Sequence, residues 1–512
     1  MHWLQLFITH THTRSYKITK EKLRYFDIMG ANLSLGKPVN DIPWHGKLVT
    51  LEFLRKHWSA EIDSFKIEPV MAETREGVFK EDGGGASGPS IIRLRLTWSD
   101  GKFTDEHPES CVLKTEDNLK DPAFPMITRL IMQACHFIMV EMQANEANWY
   151  AINHKIAVDK GYSMPKTYCA VRSHHKIKVP SGRQFVMRDS RQNFRTCIIM
   201  EDMKDYKSPP QQANLSKERI AAALNNFAIL HASYWGKQSD FDWIDGSKNR
   251  LCTWLRNLQI TVDPSMSPFF KGKLNLYKDN TLRDATKAHS SALGNELWTK
   301  YCGKNWLSDP KTQEALAYFI NVMQNDEVRN RVLFPPVEIQ TINHGDCHGW
   351  NHMFLRDDIK DNAGLAKVKS VDFGFVGGGR PTWDLIYFFA MSVDGSNFQA
   401  DMDALRLYYD ALCEHSKDNS SFDSTTYTYE YFQSEFFHLW ASQIITIIGS
   451  MKLPFTPKYL DKQCKKDNTG KGETLTFATL KAYERILKRV VTYYENGIID
   501  KIANPGVTLK VA

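Results

Sequence analysis

Short apolar runs bounded by polar and turn residues mark strands in the amino-terminal half of the chain: IIRLRLTW from Ile91, CVLK over 111–114, and CIIMEDM over 197–203. A helical spacing of apolar positions runs between the second and third of these, from about Met126 to Tyr150. Residues 205–340 are mainly helical in pattern, with Trp235, Trp243, Trp254, Trp298 and Trp306 interspersed. Tryptophans in such a region more often fill a core than line a pocket. The stretch 262–312 is rich in polar and turn residues and is expected to be an insertion over a pocket. A strand-like run, KVKSV, ends at Val371, and the apolar run LIYFFAM begins at Leu385. The segment FFHLWASQIITIIGSM from Phe436 is interrupted by His438, Ser442 and Gln443, so it reads as a core helix, with no run of transmembrane length. A last helix is expected over about 477–499, with a frayed tail after Pro505.

Candidate chemistry concentrates between Ile342 and Leu385, in INHGDCHGWNHMF, KSVDFGFVGGG and RPTWDL. Transfer of a γ-phosphoryl group needs a carboxylate beside the attacking hydroxyl and hard oxygen ligands that hold Mg²⁺ against the phosphates. Asp346 is the candidate base. Asn351, five positions on, can turn its amide oxygen to a metal while Asp346 faces the acceptor. Asp372, at the end of an apolar strand, projects as the second metal ligand. His344 is expected to brace the loop through backbone hydrogen bonds, and Asp384 to stabilise that loop and cap the following helix. His231, within LHASYW, is assigned no chemistry. A competing use of His344, His348 and His352 as a zinc-binding helix face fails on its own terms, because Gly345 stands where a hydrolytic zinc helix needs Glu and glycines disfavour a helix. The tract Gly377 to Gly379 is expected to add flexibility beside the site.

A nucleotide site also needs a phosphate-binding lysine and its partner upstream. Lys114 ends the CVLK strand, and Glu146 on the following helix is the chosen partner, with Glu141 as the fallback. The glycine-rich segment 83–90 precedes the Ile91 strand, which makes Ser87 and Ser90 candidate phosphate contacts although the spacing is not G-x-G-x-x-G. Backbone groups from Glu201 to Met203 suit a hinge that would hydrogen-bond adenine.

Taken together, VLK at 112–114, EANWY at 146–150, IIMEDM at 198–203, LHASYW at 230–235, HGDCHGWN at 344–351, VDFGF at 371–375 and PTWDL at 381–385 resemble the ecdysteroid kinase-like (CHK kinase-like) family of the choline/aminoglycoside kinase group. The resemblance spans about residues 45–500. It implies an α+β, two-lobe, protein-kinase-like fold with a small β-rich N-lobe and a large helical C-lobe. It also implies ATP- and Mg²⁺-dependent phosphorylation of a small-molecule hydroxyl, with Asp346 as base, Asn351 and Asp372 on Mg²⁺ and Lys114 on ATP. The expected boundaries are an extension over 1–45, an N-lobe over 46–203 and a C-lobe over 204–512. Two positions depart from the family pattern: His348 replaces an aromatic, and Gly374 replaces a glutamine after Asp-Phe. The competing class is a nucleotide-binding pseudokinase or scaffold without turnover. A protein kinase is disfavoured because HGD replaces HRD and no A-P-E segment follows VDFGF.

Composition changes this picture little. Hydrophobic residues make up 42% of the 512, enough for substantial cores, and 65 basic against 59 acidic residues give +6, no argument for nucleic-acid binding. Nine cysteines lack C-x-x-C pairs, and Cys111, Cys135 and Cys197 lie in apolar runs, which suits buried, reduced thiols and a cytoplasmic location. Residues 1–28 lack a signal-peptide core, and Met29-Gly30 matches a myristoylation pattern only if translation starts at Met29.

Overall fold

A computed structural model describes residues 41–43, 48–69, 90–115, 142–173, 195–209, 213–237, 283, 286–287, 289–333, 341–359, 366–451 and 473–504. The glycine-rich segment with Ser87, the leader with Met29 and Gly30, Glu141, Cys135, Trp243, Trp254 and the tail after Pro505 lie outside the described residues.

Helix α1 (Leu51–His57) and strands β1 (Ile62–Pro69), β2 (Ser90–Trp98), β3 (Ser110–Thr115), β4 (Thr167–Arg172) and β5 (Thr196–Glu201) form the smaller unit. The strands make one antiparallel sheet in the order β1-β2-β3-β5-β4. Side chains alternate across a strand, so β3, β4 and β5 each feed two cores. Leu94, Leu96, Cys111, Leu113, Cys197 and Ile199 face the layer that contains Phe53 and Leu54 of α1. Thr50 caps that helix by accepting the Phe53 N–H at 3.1 Å. Val112, Ile198 and Met200 face the opposite core, which contains Trp149 and Tyr150. Lys114 is two residues from Val112, so the same period turns it to this second face, toward the site.

Between β3 and β4 the helical residues 142–148 continue into a π-helical turn, Trp149–Asn153. Such turns insert a residue into a helix and recur at functional sites. Here both Trp149 and Tyr150 are buried beneath the sheet.

The larger unit is built on helices α2 (Lys217–Tyr234), α3 (Ala292–Cys302), α4 (Pro310–Met323), α5 (Thr382–Ser392), α6 (Phe398–His415), α7 (Tyr429–Met451), α8 (Glu473–Glu495) and α9 (Ile498–Ala503). Ser216, Ser291, Asp309 and Asn397 supply side-chain caps to α2, α3, α4 and α6. Phe227, Phe388, Phe389, Tyr408, Phe432 and Trp440 share one core. Trp235, Leu297 and Trp298 lie in it too, so the described end of the polar stretch 262–312 packs into the lobe. The greasy segment from Phe436 falls in α7, and among the described residues no helix is long and apolar enough to cross a membrane.

Five short strands carry the candidate chemistry. They are β6 (Tyr206–Lys207), β7 (Thr341–Asn343), β8 (His352–Leu355), β9 (Val368–Ser370) and β10 (Gly377–Gly379). They pair as β6-β8-β9 and as β7 with β10. The glycine tract expected to be flexible is therefore strand β10, buried and in register with β7. Gly379 serves close approach: a Cβ there would meet the Asn343 side-chain oxygen at 2.5 Å. The result is an α+β molecule with a β-rich N-lobe and a helical C-lobe, as expected.

Candidate active site

The site begins with a buried lysine. The Lys114 side chain is only 9% exposed, and an ammonium at that depth must be paired. Its Nζ donates to Glu146 Oε1 and Oε2 at 2.7 and 2.8 Å and to Asp372 Oδ1 at 3.1 Å. The strand, the helix and the segment after β9 thus meet at one nitrogen. Glu146 is almost fully buried, whereas half of the Asp372 side chain stays open to solvent. Desolvation by surrounding groups would raise the Asp372 carboxyl, but the charge and hydrogen bond of Lys114 hold it below the usual range.

Backbone and packing place Asp372 there. Among the described residues it is the one non-glycine with positive φ, at 67°. Aspartate tolerates this left-handed conformation better than most residues, and such outliers persist where surrounding structure fixes them. The fixing element is Phe373, fully buried, stacked on Trp149 at 4.9 Å and edge-on to Tyr150 at 5.6 Å. The motif residues after Glu146 are thereby explained: they form the socket for the side chain that follows Asp372.

The loop after β7 carries Asp346. Gly345 has φ of 82°, and a Cβ there would lie 2.2 Å from the Phe375 carbonyl oxygen, so only glycine fits. The Asp384 carboxylate, buried at the start of α5, accepts the His344 N–H at 2.7 Å and the Gly345 N–H at 2.9 Å. It also meets His231 Nε2 at 3.2 Å, while His231 Nδ1 lies 2.7 Å from the Tyr408 hydroxyl. Burial would raise the Asp384 carboxyl, yet His231, His344 and the Gly345 N–H hold it below the usual range. Asp384 accepts from the loop, and no side chain caps the start of α5.

His344 is buried, which lowers its pKa and keeps the ring neutral. The hydrogen bonds fit one tautomer: Nδ1 accepts the Asp346 N–H at 3.3 Å and Nε2 donates to the Val371 carbonyl at 2.9 Å. His344 therefore ties the Asp346 loop to the residue preceding Asp372. Ser370 is held in turn by Asn226 at 3.0 Å and by His352 at 3.1 Å.

Asn351 donates from Nδ2 to the Asp346 carbonyl at 2.8 Å and to Asp346 Oδ2 at 3.2 Å, which leaves its amide oxygen directed away from the carboxylate. The Asn351 carbonyl accepts the Val371 N–H at 2.9 Å, so Asn351 and Asp372 stand on adjacent segments. Hard oxygen donors of this kind, one carboxylate and one amide, suit Mg²⁺ shared with phosphates. Burial raises the Asp346 carboxyl above its ordinary range, and the Asp372 charge adds to this; His348, His344 and a hydrogen bond from the Tyr387 hydroxyl oppose it. His348 Nε2 is 3.7 Å from Asp346 Oδ2.

The three loop histidines do not share a helix face. His344 follows β7, Gly349–Asn351 is a single 3₁₀ turn and His352 opens β8. Among the described residues no three His, Cys, Asp or Glu side chains form a metal-sized group.

At the hinge, the Glu201 N–H donates to the Lys166 carbonyl at 2.8 Å, and its carboxylate holds Lys369 Nζ at 2.6 Å. That amide is therefore engaged within the protein. The Met203 carbonyl accepts the Tyr206 N–H at 3.0 Å. Ser90 opens β2, paired with Thr115 and next to the Ile91–Lys114 pair. Sequence reasoning missed Asp202, whose buried carboxylate pairs with Arg93 Nε at 2.8 Å and Ser110 Oγ at 2.6 Å. It also missed Tyr387. The only sequence signal for either is a polar atom inside an apolar run.

Asp384→Ala strips acceptors from two buried loop N–H groups, each costing about 1–3 kcal/mol when left unpaired. The expected outcome is a lowered midpoint in chemical denaturation. An unchanged midpoint would show that the loop does not depend on this carboxylate.

Comparison with known proteins completes the picture. No curated protein matches the chain. One similar solved structure is an aminoglycoside-3'-phosphotransferase of type VIII, at 13% identity and a TM-score of 0.28, covering 72% of this chain and 93% of that one. Another is the ADP-bound aminoglycoside phosphotransferase APH(2'')-Ib, at 12% identity and a TM-score of 0.24, covering 84% and 97%. Both superpositions are loose. Residues 163–420, half of the chain and including the whole Asp346 to Asp384 segment, match the ecdysteroid kinase-like family, and the chain belongs to that family.

Proposed function

We propose that the protein transfers the γ-phosphoryl group of ATP to a hydroxyl of a small molecule. The observation that carries this reading is the convergence of Lys114, Glu146 and Asp372 at one nitrogen, beside a loop that presents Asp346 and Asn351. Lys114, held by Glu146, places the phosphates. Asp372 and the Asn351 amide oxygen would hold Mg²⁺, which supplies charge to offset that of the transferring group. Asp346 orients the acceptor hydroxyl and takes its proton. The hydroxyl oxygen forms its bond to the γ-phosphorus as the bond to the bridging oxygen breaks, and ADP leaves with that electron pair. With the Glu201 amide engaged, the Met203 amide is the hinge donor to adenine in this reading. Ser87 and Ser90 remain the proposed phosphate contacts of the preceding strand turn. The acceptor class is a steroid-like, choline-like or xenobiotic alcohol.

The raised Asp346 carboxyl suits a general base, whose proton affinity should approach the working pH. Only the ionised form can act, so kcat/KM falls as pH drops through the Asp346 pKa. The acid limb of the profile is expected above the ordinary aspartate value of 3.8. The direct test follows labelled γ-phosphate from ATP into a pooled small-molecule extract. Transfer by the native chain, reduced about 10²- to 10⁴-fold in Asp346→Asn, is the expected result. Retained Mg²⁺-dependent ATP binding with no transfer by the native chain would instead support a pseudokinase.

A further inference from the structure

We propose that Asp202 is a positioning residue for the nucleotide base: it pins one side of the hinge to the N-lobe sheet, so that the Met203 amide meets adenine in one fixed place. The assignment rests on the hinge reading above. Residues opposite one another in an antiparallel pair share a face, as do alternate residues of one strand. Arg93 stands opposite Val112, and Val112 opposite Met200. The period of two carries that face from Val112 to Ser110 and Lys114, and from Met200 to Asp202, one residue past β5. The contacts agree with this placement. Asp202 Oδ1 accepts an N–H of Arg93 Nη2 at 3.1 Å, Oδ2 accepts the Ser110 hydroxyl at 2.6 Å, and Arg93 Nε lies 2.8 Å from Oδ2. The Arg93 and Asp202 side chains are 5% and 4% exposed.

Lys114 and Ser110 stand at opposite ends of β3, about 13 Å apart at the rise of a strand. A nucleotide laid along this face with its phosphates at Lys114 therefore brings its base to the Asp202 end. A buried ion pair is weak evidence for stability, because desolvating two charges offsets their attraction; what it fixes well is geometry. The other side of the hinge is held to the C-lobe. The Glu201 carboxylate accepts Lys369 Nζ of β9 on both oxygens at 2.6 Å. The Met203 side chain packs with Tyr206 and Met353, and its carbonyl accepts the Tyr206 N–H at 3.0 Å. Asp202 and Met203 are thus anchored in opposite lobes, and the peptide that joins them carries the Met203 N–H. With both anchors in place the plane of that peptide is set. Without Asp202 held by Arg93 and Ser110, one end is free to turn and the N–H loses its aim.

The test is calorimetric titration of the full chain with ATP and with tripolyphosphate, which has the phosphates without the base, both with Mg²⁺ present. Arg93→Met combined with Asp202→Asn removes both buried charges and keeps an acceptor for Ser110, so no charge is left stranded. Arg93→Lys alone keeps a cation beside Asp202 but cannot grip both of its oxygens. The proposal predicts that the double variant binds ATP about 3- to 10-fold more weakly, the worth of one hydrogen bond, while its affinity for tripolyphosphate stays native. Arg93→Lys should show the same base-selective loss, smaller in size. Native ATP affinity in both variants would overturn the proposal. Equal weakening of ATP and tripolyphosphate would also overturn it, since a pair that only supports the fold would affect both ligands alike. A native chain that binds tripolyphosphate as tightly as ATP would remove the hinge reading and this assignment with it. Retained ATP binding without γ-phosphoryl transfer would strike the phosphotransferase reading alone, so the two failures are distinguishable.

Discussion

A buried ammonium is the constraint on which the remainder of the site depends. Lys114 cannot stay charged at its depth without partners, and its partners lie 32 and 258 residues away. Satisfying it forces the β3 strand, the Glu146 helix and the segment after β9 to one point. The aromatic packing then makes that meeting rigid. Phe373 fills the socket of Trp149 and Tyr150, so β3, the Glu146 helix and the Asp372 segment share a core as well as an ion pair.

From there the constraints pass along the chain by hydrogen bonds. His344 links the Asp346 loop to Val371, Asp384 links the same loop to α5, and His231 and Tyr408 extend the connection into α2 and α6. Three carboxylates within this network are driven in different directions. Asp372 and Asp384 are held below the usual range by nearby cations, imidazoles and N–H donors, while burial raises Asp346. Opposed environments of this kind separate ligand and support roles from proton transfer.

Much of this was legible in the residues. The run CVLK shows a lysine at the end of an apolar strand, and the period of a strand turns it to the face of Val112. Glu146 is readable because EANWY places it on a helix beside two large aromatics, and the order of HGD, Asn351 and Asp372 gives the loop. Other features depend on distance relations that no local pattern encodes. The triple glycine reads as freedom in sequence, yet it is buried strand paired with β7, and at Gly379 the Asn343 side chain leaves no room for a Cβ. Tyr387 reads as one more member of LIYFFAM, since which face of α5 borders the loop is settled only by tertiary packing. The Glu201 amide looks available at a strand end until Lys166, from a segment 35 residues earlier, takes it.

The central claim is that Asp372 and Asn351 form a metal-dependent nucleotide site completed by Lys114. Calorimetric titration with ATP, with and without Mg²⁺, of the native chain and of Asp372→Ala tests it most directly. The account predicts tight binding that requires Mg²⁺ in the native chain and loses that requirement, together with affinity, in Asp372→Ala. Equal affinity with and without Mg²⁺, or no ATP binding by the native chain, would contradict it.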